Sequence, residues 1–233
     1  MNWKSMKRIN PFLLFDKYID NNRLDQKIVQ QCMKRIKIVE EAIKRVEKNT
    51  SLDYPDYFIE PALFLSSSEI EYGQFNIMYA RTIPICTKQN QIRIMVQLSL
   101  PLVLYGLKGT IHAVVAHEFL HYLDLIKKFI NLDINSDLIP QTGFEAGFID
   151  TEKTMDYRMV FKKDRSLTRM LDSKFDHGLV DPKLDNKTKT FWIEKKLPTK
   201  RIVIGGNYTK LPFQAIANTP IENHLRNKII EWA

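Results

Sequence analysis

Three of the five histidines in this 233-residue chain lie between positions 112 and 121, and two of them bracket a glutamate. His117 and His121 are four residues apart, so on a helix their rings project from the same face. Two such imidazoles can bind one zinc ion at about 2.0–2.1 Å each. Glu118 is rotated by about 100° from His117, so its carboxylate can reach a metal-bound water without becoming a ligand. This pattern predicts metal-assisted hydrolysis, with Glu118 as general base and then general acid.

A second interpretation of the same residues is a surface His/Glu/His cluster that binds no metal. The sequence context favours the metal site. The motif lies in the middle of a predicted helix, with apolar residues at the packing positions, and it follows an alternating strand.

The stretch from Ile111 to Asp124, which contains His117-Glu118-Phe119-Leu120-His121, resembles the active-site helix of the zincin metallopeptidases. The resemblance implies a zinc-dependent peptidase with one Zn²⁺ per chain and a protein or peptide substrate. The preceding segment, Gln91 to Ser99, resembles the edge strand along which zincins bind an extended substrate through main-chain hydrogen bonds.

The third zinc ligand distinguishes the zincin clans. Metzincins have a glycine and a histidine where this chain has Asp124 and Lys127, which excludes that clan. Zincins of the DNA-repair type use a histidine soon after the motif, and the next one here is His177. Gluzincins use a glutamate on a second helix, and Glu145 follows His121 by 24 residues. The resemblance therefore implies that His117, His121 and Glu145 bind the metal.

Other assignments remain open for this ligand. Glu145 also fits a capping box at the start of a helix near Thr142. Alternative ligands of acceptable chemistry are Glu152, Asp150 and His177.

Residues around the metal are also candidates for supporting roles. Asp124 lies one turn beyond His121 and could orient a ligand imidazole, or it could be an ordinary surface carboxylate. The resemblance implies a similar supporting role for Asp150. The candidates for stabilising the oxyanion of the transition state are Tyr157, His177 and Tyr208. His112 points away from the ligand face and is predicted to be a packed or capping histidine.

Hydrophobic periodicity predicts the elements that position this motif. Apolar residues at steps of three or four predict a long amphipathic helix from Arg23 to Lys48. Strict alternation from Gln91 to Ser99 predicts a half-buried strand, antiparallel to its partner across a turn at Lys88 to Asn90. Thr110 is the expected cap of the motif helix, which should run to about Phe129 with one side buried.

The predicted fold is α+β and zincin-like: a small twisted β-sheet packed on the active-site helix and on a second helix that carries the glutamate. The expected segments are an N-terminal helical part (1–50), the catalytic core (51–165) and a C-terminal part of unknown role (166–233). All three could equally form one compact domain.

Composition limits the remaining function classes. The chain is 44% hydrophobic and 27% charged, which is typical of globular proteins. No apolar run approaches the 18 or so residues of a membrane span. Cys32 and Cys86 form no cluster, which favours a reducing compartment and a cytoplasmic location. The oligomeric state stays open.

Two alternatives to an active peptidase follow from the charge and from the C-terminal part. The net charge of +8 permits contact with nucleic acid without requiring it. Between Lys183 and Arg201 there are seven basic residues against two acidic ones, and we expect a solvated hairpin or loop there. The chain could thus be a basic nucleic-acid-associated protein. It could also be a latent or inactive zincin whose terminal segment occupies the cleft.

Overall fold

A computed structural model describes residues 9–68, 76–134, 154–176, 178–204 and 211–232. The helices are α1 (Phe15–Asp20), α2 (Gln26–Thr50), α3 (Leu100–Tyr105), α4 (Lys108–Ile134), α5 (Tyr157–Val160), α6 (Arg165–Lys174), α7 (Pro182–Thr188), α8 (Phe213–Ala217) and α9 (Asn223–Trp232). The strands are β1 (Asp56–Glu60), β2 (Leu63–Ser68), β3 (Asn76–Met78), β4 (Ala80–Cys86), β5 (Ile92–Ser99), β6 (Phe175–Asp176), β7 (Gly178–Leu179) and β8 (Thr199–Ile204). This mixture of helices and small sheets confirms the predicted α+β class. The predicted second helix near Thr142 lies outside the described residues.

The strands form two three-stranded sheets and a short two-stranded ladder. In the first sheet β5 lies between β1, which is parallel to it, and β4, which is antiparallel. The turn between β4 and β5 is closed by the Asn90 N–H, which donates to the Thr87 carbonyl at 3.0 Å. This confirms the predicted hairpin. In the second sheet β2 lies between β3 and β8, and β6 pairs with β7 in the ladder.

Strand β5 is buried on both faces, so the prediction of a half-buried strand was wrong. Its polar positions are enclosed as well as its apolar ones: Gln97 is 5% exposed and Ser99 is fully buried. Gln97 tolerates burial because its side-chain oxygen accepts a hydrogen bond from Arg81 Nε at 2.5 Å. The strand is central because β1 adds to its second edge, a long-range pairing that alternation within β5 cannot reveal.

Helix α4 begins at Lys108, two residues before the predicted cap. Thr110 lies inside the helix, where its hydroxyl donates to Asp181 Oδ2 at 2.5 Å. The turn between α3 and α4 is stabilised by Arg35 of α2, which donates to the carbonyl oxygens of Val103 (2.6 Å) and Gly106 (2.5 Å). Those carbonyls at the end of α3 lack helical partners, and the guanidinium satisfies them.

The first half of α4 is buried almost all round, not on one side as predicted. Ala113, Ala116 and Leu120 are as inaccessible as Val115 and Phe119. The helix is buried on several sides because α2, β4, α6 and α9 all contact it. A helix enclosed in this way is the central element of a core. No helix within the described ranges is long and apolar enough to cross a lipid bilayer.

The basic region after Lys183 is helical, which corrects the expectation of a hairpin or loop. Asp181 caps α7 by accepting from the Leu184 N–H at 3.2 Å, and Pro182 occupies the first turn. A π-helical turn, Lys189–Ile193, continues α7. Trp192 in this turn is fully buried and donates its indole N–H to the Pro198 carbonyl at 2.8 Å.

A bidentate ion pair connects helix α2 to the start of helix α6. Arg45 Nε lies 2.6 Å from Asp164 Oδ2, and Arg45 Nη2 lies 2.7 Å from Asp164 Oδ1. Asp164 also caps α6, because its Oδ1 accepts from the Leu167 N–H at 3.0 Å. The Arg45 hydrogen bonds hold the pKa of the Asp164 carboxyl below its usual range.

We expect Asp164→Ala to lower the free energy of unfolding by about 2 to 3 kcal/mol, since it removes a helix cap and leaves a partly buried guanidinium without its partner. Urea unfolding at neutral pH measures this. The depressed pKa means that the carboxylate contributes fully above pH about 4 and loses its contribution as the pH falls further. The difference in unfolding free energy between wild type and variant should therefore shrink in acid.

The control is Glu41→Ala, which removes an exposed ion pair with Lys108 and should leave the unfolding midpoint unchanged. An equal effect of the two substitutions would contradict the assignment.

Candidate metal centre

The two histidines of the motif converge on one point. His117 Nε2 and His121 Nε2 are 3.1 Å apart, and their rings are nearly perpendicular, at 89°. Two ligand atoms bonded tetrahedrally to zinc at 2.0–2.1 Å would lie about 3.3 Å apart. The donor atoms and their separation therefore fit two of the positions around a zinc ion. Without a metal, the same distance suits an N–H···N hydrogen bond between the two neutral rings.

His117 is held in the neutral form that metal binding requires. Burial, reinforced by the neighbouring His121, lowers the pKa of His117 to about 3. A neutral imidazole presents a nitrogen lone pair to a cation, whereas an imidazolium cannot. The side chain needs no deprotonation at neutral pH.

The ring of His117 is covered by an aromatic side chain from the C-terminal part of the chain. Phe175, in β6, stacks on it with ring centroids 3.8 Å apart and an interplanar angle of 13°. Phe175 precedes His177 by two residues in the sequence. The stack fixes the plane of His117, and it places the β6–β7 ladder beside the histidine pair.

Glu118 lies on the sheet side of α4 and is fixed by β4. Its side chain is 5% exposed. The Thr82 hydroxyl lies 2.7 Å from Glu118 Oε2 and 3.0 Å from the Glu118 carbonyl oxygen, and it shares its proton between them. A hydroxyl that donates to a carboxylate stabilises the ionised form and limits its rotation. The carboxylate is thus held one helix position from the histidine pair, as the motif predicts.

The strand at the edge of the sheet beside Glu118 is β4, not β5. The resemblance assigned the edge to Gln91–Ser99, but β5 is the central strand. Within β4 the odd-numbered residues bond to β5, as the Ser99 N–H to Tyr79 carbonyl and Thr87 N–H to Gln91 carbonyl contacts show at the two ends. The even-numbered residues direct their backbone groups outward. Among the strands that the structure describes, none pairs with this outer edge.

The structure does not test the predicted third ligand. No group of three or more His, Cys, Asp or Glu side chains suited to a metal occurs within that part. Each candidate third ligand falls outside it: Glu145, Asp150, Glu152 and His177. The same holds for Tyr208. These assignments stay predictions.

The remaining sequence-predicted residues have other contacts. Asp124 pairs with Lys128 Nζ at 2.8 Å, one turn further along α4, so its role beside His121 stays a prediction. Tyr157 donates its hydroxyl to Asp172 on α6. His112 is 6% exposed and lies against Arg45, with 3.4 Å between Nδ1 and Nη1, as expected for a packed histidine.

Sequence reasoning missed Thr82 and Phe175, the two side chains that fix Glu118 and His117. Thr82 has the β-branched shape of any strand residue, and no local signal marks it as a partner of a residue 36 positions later. Phe175 follows a helix and belongs to a two-residue strand. Both contacts depend on long-range packing.

A cavity of about 510 Å³ opens at the far end of the first sheet. Its walls include Ile92 of β5, Ile126 of α4 and Leu225 of α9, with Tyr122, Asp53 and Glu222 as polar members. Neither His117 nor Glu118 lines it, so the histidine pair and this cavity are separate features.

The chain has no match among protein-family models, curated proteins or solved structures. Its function is therefore inferred from the geometry of the site.

The purified protein should contain about one zinc per chain, and His117→Ala and His121→Ala should each abolish this, because each removes one of the converging ring nitrogens. Elemental mass spectrometry after incubation with zinc near neutral pH measures the content. His224→Ala is the matched control, since this exposed histidine contacts the Ser51 carbonyl instead. Unchanged zinc in both motif variants, or none in the wild type, would overturn the metal site.

The same measurement extends to the third ligand. We expect Glu145→Ala to weaken zinc binding, as the resemblance implies, with Asp150→Ala, Glu152→Ala and His177→Ala as the comparison series. Full, tight binding by Glu145→Ala would exclude that residue, and loss in one of the others would identify the ligand.

Proposed function

We propose that this chain is a zinc-dependent metallopeptidase. The observation that carries the proposal is the combination of two ring nitrogens 3.1 Å apart with a buried carboxylate held next to them by Thr82. Structural histidine pairs need no such carboxylate. Burial of a carboxylate lowers the stability of the fold unless the group is hydrogen bonded. Buried carboxylates are therefore often found at catalytic sites, where they take part in the reaction.

Zinc bound by His117, His121 and a third ligand would polarise the scissile carbonyl and acidify a nearby water. Glu118 accepts a proton from the attacking water and later delivers it to the leaving amine. Thr82 keeps the carboxylate in one orientation during both transfers. Phe175 keeps the His117 ring in the plane that directs Nε2 toward the shared point.

The outer edge of β4 supports a peptide as the proposed substrate. The backbone groups that point outward belong to Ala80, Thr82, Pro84 and Cys86. An extended peptide could pair with this edge as an added strand. Thr82 would then lie beside the peptide while its hydroxyl holds Glu118, which brings a backbone carbonyl of the peptide close to the catalytic carboxylate. The proposed substrate is accordingly a protein or peptide segment in extended conformation.

Glu118→Gln should reduce peptide hydrolysis by about 10²- to 10⁴-fold, the usual contribution of a general base, while zinc content is unchanged. The substitution keeps the shape of the side chain and removes its basicity. Hydrolysis of an unstructured protein such as casein by the zinc-loaded enzyme provides the assay. Wild-type activity in the Gln variant would rule out the proposed role of Glu118.

The stack of Phe175 on His117 specifically favours a second candidate, a latent zincin. Phe175 belongs to the C-terminal part, and its ring covers one face of a ligand histidine. A side chain in that position can exclude substrate as well as orient the imidazole. The two roles make opposite predictions for its removal.

In a latent enzyme, Phe175→Ala should raise kcat/KM for an unstructured protein substrate with zinc content unchanged. In an active enzyme it should lower zinc affinity and activity together, because the His117 ring loses its support. Phe191→Ala, which truncates an exposed phenylalanine of the same C-terminal part, is the control. If neither the zinc-loaded wild type nor Phe175→Ala cleaves any unstructured protein, the peptidase proposal fails.

A further inference from the structure

A second surface of the molecule combines basic and aromatic side chains. It is formed where the end of α3 meets α7 and the π-helical turn that follows. Its members, called here the lysine–aromatic surface, are Tyr105, Leu107, Lys183, Lys187, Phe191 and Lys195.

These six side chains are contiguous. Tyr105, Leu107, Lys183 and Lys187 line one depression of about 210 Å³. The rings of Tyr105 and Phe191 have centroids 6.1 Å apart, and the Tyr105 hydroxyl donates to the Phe191 carbonyl at 3.4 Å. Lys195 Nζ lies 5.5 Å from the centre of the Phe191 ring. The surface therefore runs without a break from Leu107 to Lys195.

Two of the apolar members are largely exposed to solvent. Leu107 is 53% exposed and Phe191 is 45% exposed. The neighbouring Trp192 is fully buried, so anchoring of the indole turns Phe191 outward. Tyr105 lies between them, because it shares the depression with Leu107 and its ring contacts that of Phe191. Apolar and aromatic side chains that cluster at the surface are typical of a contact site.

The lysines give this surface a positive charge. Lys183, Lys187 and Lys195 are exposed, and none forms an ion pair within the described residues. The acidic residue at the depression, Asp181, is already occupied by Lys174 Nζ at 2.7 Å and by the Thr110 hydroxyl. The surface thus presents three cations around exposed rings.

We propose that the lysine–aromatic surface binds single-stranded nucleic acid. Lysines along a groove match the phosphate backbone, and exposed aromatic rings stack on bases whatever their identity. A duplex hides its base faces and would leave Phe191 and Leu107 unused. The acidic side chains of a peptide would use the lysines but carry no aromatic ring to stack on that of Phe191.

The proposal is tested by the fluorescence anisotropy of a labelled oligothymidylate of about 12 nucleotides, within the range of single-strand site sizes, at about 50 mM salt. The full chain is used in every case. We expect Lys183→Glu/Lys187→Glu to weaken binding by at least about tenfold and to flatten the salt dependence, because about 0.7 counterion is released for each phosphate contact to a single strand. Phe191→Ala should weaken binding by about fivefold or more through the loss of stacking, with little change in the salt slope.

The matched control is Lys34→Glu/Lys44→Glu, which makes the same charge change at exposed lysines of α2. Binding by this control should stay much closer to that of the wild type. The unfolding midpoints of all variants should agree, since every altered side chain is exposed. Polyglutamate serves as a competitor that supplies charge without bases.

Three results would overturn the proposal: no binding of the oligonucleotide at low salt, equal losses in the two charge-reversal variants, or no effect of Phe191→Ala. The last result, together with displacement by polyglutamate, would assign the surface to an acidic protein partner. None of these results depends on peptidase activity, so the proposal can fail or succeed independently of the metal site.

Discussion

Enclosure of α4 by other layers is the constraint on which the rest of the structure depends. Polar groups on a helix buried almost all round must be hydrogen bonded or bind a ligand. Thr110 meets this need through Asp181, and Glu118 meets it through Thr82 of β4. His112 packs beside Arg45 of α2, and its Nε2 has no hydrogen-bond partner within the described residues. The helix is therefore fixed in rotation as well as in position. That fixed rotation directs His117 and His121 to one side and Glu118 toward the sheet.

The C-terminal part of the chain supplies much of this enclosure. It provides Asp181 to the start of α4 and Phe175 to His117, and β8 completes the second sheet by pairing with β2. Tyr79, which precedes β4, donates its hydroxyl to Asp185 at 2.8 Å and contacts Thr188 of α7. The strand that holds Glu118 is thus itself supported by α7. This part of the chain is therefore connected to Glu118 through β4 and to His117 through β6.

The features that the sequence predicted correctly are those encoded locally. The apolar period of α2, the alternation in β5 and the four-residue spacing of the histidines each lie within one element, and each is present in the structure. The errors concern neighbours distant in the chain. The alternation within β5 does not reveal that β1 pairs with its second edge and makes it the central strand. The apolar periodicity of α4 predicted burial on one side, whereas several elements surround the helix. In the basic region, charge composition obscured the capping signal of Asp181 and Pro182. Thr82 and Phe175 had no local signal, since their roles arise only when strand and helix meet.

The outer edge of β4 has a consequence for self-association. A strand with one unsatisfied edge tends to pair with the same strand of another copy, which leads to aggregation. Pro84 lies opposite Ile94 in the ladder, at a position whose backbone groups face away from β5. Because proline has no N–H, the edge lacks one of the donors that a continuous intermolecular sheet would require. The missing donor lies two residues beyond Thr82. A short strand can therefore pair with β4 next to Glu118, whereas a long ladder between two copies of β4 is interrupted. Under the proposed function, this one proline would permit transient pairing with a substrate strand and oppose polymerisation.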